Sequence, residues 1–131
     1  MPKNGQNFLT ELGIQKSPGI NEIELSVFGR GYGECLVISC GSKEFIVVDS
    51  FKNSETGNPI ALDYLETMGI SSNAIKQIVL THWHQDHITG ISEILQKASP
   101  DAKLVISPII KKEKFYEYIS IGLKEMKGIT K

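Results

Sequence analysis

The chain carries three histidines, and all of them fall in one heptad: Thr81, His82, Trp83, His84, Gln85, Asp86 and His87. Four side chains able to bind a metal ion, His82, His84, Asp86 and His87, thus lie within six consecutive positions. Imidazole nitrogen and carboxylate oxygen are ligands that zinc, iron and manganese accept. On a helix, residues two apart point to nearly opposite sides, so His82 and His84 could not share an ion. In an extended segment they face the same way and can grip one metal, while Asp86 and His87 turn toward a neighbouring position. The bland alternative is an exposed polar loop in which the histidines gather by chance.

The elements around the heptad indicate how it is delivered. An apolar run at 75–80 leads into it and reads as a buried strand. Upstream, Ile23, Leu25 and Val27 alternate with Glu22, Glu24 and Ser26, the pattern of a strand over 21–28 with one wet face. Residues 35–40 and 45–48 are continuous apolar strands joined by a turn at Gly41, Ser42 and Lys43. After a loop at 53–58, Pro59 suits a helix start, Ala61, Leu65 and Met68 share one stripe, and Gly69 ends it. Ile88, Ile91, Ile94, Leu95 and Ala98 lie at helical spacing directly after the heptad, and Ser99 and Pro100 stop that helix. A short strand at 104–106 and a third helix carrying Phe115, Ile119, Leu123 and Met126 follow. The order β-β-β-α-β-α-β-α implies one mixed sheet with helices on one face, an α/β chain of the α+β type.

Length and composition bound the rest. With 131 residues, 40% hydrophobic and 22% charged, the chain reads as one globular domain behind a poorly specified polar leader at 1–21. No apolar stretch reaches the ~20 residues that span a bilayer, and residues 1–7 lack a hydrophobic signal core, so a cytoplasmic protein without membrane contact is expected. Cys35 and Cys40 bracket one strand; five extended residues span ~16 Å and place them on opposite faces, which rules out a disulfide between them. Both are expected to be small buried side chains. Residues 1–102 hold 7 basic and 12 acidic groups, whereas 103–131 hold 7 lysines and 3 acids. The basic tail fits either an anionic partner such as nucleic acid or the solvated face of a helix.

His-x-His-x-Asp-His after a strand resembles the signature of the metallo-β-lactamase superfamily. Three further features are similar in the same order: Asp49 at the end of the strand 44–49, a glycine turn of Gly29, Arg30, Gly31, Tyr32 and Gly33, and the leader 78–81. The resemblance covers residues 22 to 110, the N-terminal half of the family's αββα sandwich. It implies a metal-dependent hydrolase with two zinc ions, or manganese or iron, in which metal-bound hydroxide attacks an ester-type bond. By motif position His82 and His84 bind the first ion, and Asp86 and His87 the second, with Asp86 also placed to orient the metal-bound water. Asp49 and Thr81 would support the ligand loop without touching metal, although an aspartate ending a strand also serves simply to cap a turn. Trp83 either lines the site or packs on the scaffold. Arg30 and Tyr32 could meet an anionic substrate from across the mouth.

His87 resembles the thioester hydrolase, lactonase and phosphodiesterase branches. The sequence around the glycine turn resembles hydrolase domains of DNA-uptake proteins and nucleases. The second resemblance tilts the implied substrate, a small molecule, toward the phosphodiester or nucleotide type. Glu34, after the last glycine, stands where the family varies. The family's later ligands have no counterpart, since no histidine follows His87 and Asp101 is the one later aspartate. Residues 22–131 are therefore expected to form a partial domain whose C-terminal half is absent. A second reading follows, that the chain is an inactive half serving as a binding or assembly module. Its strands are apolar on both faces and its helices cover one, so the open sheet face is expected to pair with a second copy in a two-fold dimer.

Overall fold

The computed structural model describes residues 18–29, 34–81 and 90–107, together with the single residues 117 and 120. Five strands form one sheet in the order β1 (Ile23–Gly29), β2 (Glu34–Cys40), β3 (Phe45–Val48), β4 (Ile75–Leu80) and β5 (Lys103–Ile106). The first three are antiparallel neighbours, and β3, β4 and β5 run parallel. Helix α1 (Ile60–Thr67) connects β3 to β4, and α2 (Ile91–Lys97) connects β4 to β5. Parallel neighbours need such crossovers, and the crossovers cover a sheet face. The sheet is thus mixed, with helices on one side, as the alternation of apolar runs and helical stripes implies.

Local chemistry sets the boundaries. The β2–β3 turn centres on Ser42 (φ 51°) and Lys43 (φ 58°), with the Glu44 amide donating to the Gly41 carbonyl at 3.1 Å. Two successive positive φ values match the right-handed twist of a hairpin. Helix α1 closes as a Schellman motif: Gly69 sits at φ 71°, the Ile70 amide reaches the Leu65 carbonyl at 2.8 Å, and the Gly69 amide reaches Glu66 at 3.0 Å. A short 3-10 turn at Ser72–Ala74, whose Asn73 amide is capped by Ser71 Oγ at 3.1 Å, carries the chain into β4. Helix α2 begins at Ile91, later than the stripe from Ile88 implies; Ile88 itself lies outside the described residues. Of the expected third helix, Glu117 and Ser120 are helical, and Phe115, Ile119, Leu123 and Met126 lie outside the described residues, as do positions 1–17 of the leader.

The core lies between the helices and one face of the sheet. Cys35, Val37, Phe45, Val47, Ile75, Ile78 and Leu80 pack there with Ile60, Tyr64, Leu65, Ile91 and Ile94. The opposite face is apolar, and among the described residues no element packs on it. Leu36, Ile38, Ile46, Val48 and Val79 are half-buried, and Leu25 and Val27 are 59% and 67% exposed.

Two expectations are corrected. In β1 the apolar set Ile23, Leu25 and Val27 does not meet the core. Its register pairs Leu25 with Ile38 and Val27 with Leu36, which continues the uncovered face. The polar set faces the helices instead: the Tyr64 hydroxyl donates to Glu24 Oε1 at 3.0 Å and accepts from Ser26 Oγ at 3.4 Å. A period-2 pattern separates two faces without saying which one the helices cover. Cys40 is exposed, not buried, because the strand alternation that buries Cys35 turns Cys40 outward; both thiols are free.

Candidate functional site

The parallel strands β3, β4 and β5 deliver Asp49, Thr81 and Ser107 to one edge of the sheet, at their carboxyl ends. Asp49 follows Val48, which pairs with Val79, so a separation of 32 residues collapses to adjacent strand ends. The Asp49 amide donates to the Val79 carbonyl at 2.8 Å and extends the ladder by one bond. Asp49 then takes φ 58°, a left-handed conformation that aspartate tolerates better than most residues. Its carboxylate accepts from the Thr81 amide at 2.9 Å and from Thr81 Oγ1 at 2.6 Å, one bond to each oxygen.

Asp49 is 5% exposed. A buried carboxylate persists only where hydrogen bonds replace its water, and bonds to an ionised acceptor are roughly twice as strong as neutral ones. Thr81 is therefore held by both its backbone and its side chain, immediately before His82. Beneath this pair, burial pushes the Cys35 thiol well above its ordinary range, and the charge of Asp49 pushes it further. Cys35 is thus a neutral thiol at physiological pH, unsuited to nucleophilic or ligand duty.

The heptad segment returns to described structure at Gly90, which is buried and takes φ 86° before α2. A side chain there would be strained by that φ, and its Cβ would lie 2.8 Å from Cγ of Pro59. Lys52, which bridges to Pro59 across a narrow excursion, pairs with Glu93 of α2 at 3.4 Å. From the first turn of α1, the buried Asp63 carboxylate gathers three donors from the excursion: Thr56 Oγ1 at 2.6 Å, Asn53 Nδ2 at 2.9 Å and Asn58 Nδ2 at 3.3 Å. Sequence reading passed over this cluster as a plain loop. Its signal was the density of Asn, Ser, Thr and Gly at 53–58, residues that bond their own backbone in turns.

Of the residues singled out in the sequence, Asp49 and Thr81 are brought together in direct contact. His82, Trp83, His84, Asp86 and His87, with Arg30 and Tyr32, lie outside the described residues. Among the described residues no group of three or more His, Cys, Asp or Glu side chains converges as a metal site. Three imidazoles and a carboxylate suit zinc. Both Asp49 oxygens accept from Thr81, one bond each.

Two solved structures are similar in fold. A metallo-β-lactamase, SMB-1, bound to 2-mercaptoethanesulfonate, matches at 23% identity and a TM-score of 0.49 over 66% of this chain and 31% of that one. Human tRNase Z, short form (ELAC1), matches at 17% identity and a TM-score of 0.49 over 79% of this chain and 40% of that one. The chain thus spans about a third of SMB-1 and two-fifths of the tRNase Z. The family model of the metallo-β-lactamase superfamily matches residues 28–122, from the end of β1 past β5. On that match, which takes in most of the sequence, the chain belongs to the metallo-β-lactamase superfamily.

Proposed function

We propose that this chain carries the metal loop of a metal-dependent hydrolase that cleaves ester-type bonds, with phosphodiesters of nucleotide type as the first substrates to test. The observation that supports this reading is the pair of bonds from Thr81 to the buried Asp49, which fixes the chain one residue before His82 at the carboxyl ends of parallel strands. Open α/β sheets bind ligands at that edge. In this reading His82 and His84 hold one zinc ion, Asp86 and His87 hold a second, and Asp49 keeps the loop extended so that i and i+2 imidazoles share a side. Bound zinc would supply an acidified water and polarise the scissile bond. Arg30 and Tyr32 would meet an anionic substrate, and Trp83 would either stack on it or anchor the loop. A cytoplasmic setting is part of the proposal; among the described residues no helix is long and apolar enough to cross a membrane. The test is hydrolysis of phosphodiester, thioester and lactone substrates by the complete protein supplied with zinc, against a His82→Ala/His84→Ala variant. Loss of zinc-dependent turnover in the variant is expected, and unchanged turnover would contradict the proposal.

A second reading rests on the uncovered sheet face: the 131-residue chain acts as an assembly module by pairing with a second copy. Five strands ~4.8 Å apart, each about six residues at ~3.3 Å, present roughly 500 Å². Two such faces together would bury about 1,000 Å², the lower bound for a specific interface. The proposed two-fold dimer is therefore weak, and light scattering across micromolar concentrations tests it. A monomer throughout that range would remove this reading and leave the first untouched.

A further inference from the structure

The sheet ends in two edges of different kinds. β5 is four residues long and opens on Lys103, and short strands and lysine are common means of keeping an edge unpaired. β1 is seven residues long, pairs with β2 over its whole length without a register break, and carries neither lysine nor proline. Among the described residues no strand lies beyond it. We propose that the β1 edge pairs antiparallel with β1 of a second copy of this chain, about a two-fold axis at Leu25, and joins two five-stranded sheets into one.

The register within the sheet shows which groups β1 presents. The Cys40 amide donates to the Glu44 carbonyl at 2.9 Å, so Cys40 directs its backbone toward β3. In an antiparallel strand the N–H and C=O of one residue point to the same side, and successive residues alternate. Ser39, Val37 and Cys35 therefore bond to β1, where their partners are Glu24, Ser26 and Phe28. That leaves Ile23, Leu25 and Val27 with their backbone groups directed out from the edge. The same three side chains are 82%, 59% and 67% exposed and stand on the open face. An edge with bare backbone and bare apolar side chains at the same positions is a template for another strand.

The order of the residues suits a second copy. With Leu25 opposite its own counterpart, Ile23 of each copy faces Val27 of the other, and Glu24 faces Ser26. Each apolar residue then meets another on the open face, and no carboxylate stands opposite a carboxylate. Moving the axis to Glu24 would set Glu24 against Glu24, and like charges directly opposite destabilise a pair. Moving it to Ser26 would set Ile23 against Gly29, which has no side chain to pack. This contact goes beyond the face-to-face pairing above. Stacked sheets lie ~10 Å apart, whereas paired edges bring opposite Cα atoms to ~5.5 Å.

Disulfide trapping of the 131-residue chain tests this in a Cys40→Ser background, since Cys35 is buried. A separation of ~5.5 Å lies within the reach of a disulfide, and ~10 Å lies outside it. Under mild oxidation Leu25→Cys should form a linked dimer roughly tenfold or more faster than Ile23→Cys, whose counterpart would lie roughly 14 Å away. Ile23 is the more exposed of the two, so random collision would give the opposite order. Equal rates for the two variants would overturn the proposal. No linked dimer from either would also overturn it, and would leave the edge to another occupant, such as residues 1–17 of the same chain. Adding Leu36→Glu to Leu25→Cys separates the edge from the face. Linking at an unchanged rate is expected, since Leu36 lies one strand in from the edge. A fall to the rate of Ile23→Cys would tie the contact to the face and overturn the edge.

Discussion

The two faces of the sheet carry side chains of similar apolarity and meet opposite surroundings. On the helix side, Val37, Phe45, Val47, Ile78 and Leu80 are at most 1% exposed. On the other side, their immediate neighbours Leu36, Ile38, Ile46, Val48 and Val79 are half-buried, and Leu25 and Val27 stand largely in solvent. Strand sequence therefore records which positions tolerate burial, whereas the helices decide which positions obtain it. Strands written for burial on both sides normally have two covered faces. That contrast, drawn among the described residues, is the ground for the pairing of two copies proposed above.

Adjacent substitutions give the largest expected difference. Phe45→Ala should destabilise the chain by about 3–5 kcal/mol, because it empties a closed core. Ile46→Ala, one residue on and facing the other way, should cost about 1 kcal/mol or less at concentrations where the chain is monomeric. Denaturant midpoints measure both, and similar losses would mean that the open face is covered in solution. At the site edge, Asp49→Asn keeps the shape of the side chain but replaces an ionised acceptor with a neutral amide. A loss of about 1–3 kcal/mol is expected. Replacement without effect would show that Thr81 does not depend on the carboxylate.

Leu36→Glu sharpens the comparison from the open side. It should leave the monomer's circular dichroism intact while weakening self-association tenfold or more, about 1.4 kcal/mol, since a dimer would bury an unpaired charge. The two cysteines offer the mildest probe. A thiol reagent at neutral pH should label Cys40 in the folded chain and reach Cys35 only on unfolding, since burial and the charge of Asp49 both disfavour the Cys35 thiolate. Equal labelling of the two would contradict the closed face.

Much of the fold was legible because the strands are short apolar runs bounded by turn residues, and because α1 carries its own stop at Gly69. The side of β1 that meets the helices was not, since alternation is symmetric until a register with β2 is known. At the site, the heptad announced itself by composition. The meeting of Asp49 with Thr81 depends on a parallel pairing across 32 residues, which spacing alone does not specify and the family resemblance supplied. The Asp63 cluster and the Pro59–Gly90 contact were invisible for a different reason. Each is a tertiary closeness of residues that, read locally, are ordinary turn and cap residues.

The central claim is that the heptad following Asp49 and Thr81 binds metal. Equilibrium dialysis of the 131-residue chain against zinc, side by side with His82→Ala/His84→Ala, measures it without reference to any substrate. Zinc retained by the unaltered chain and lost from the double variant, with both equally folded, is the expected result. Equal zinc in the two would contradict a metal site at His82, His84, Asp86 and His87.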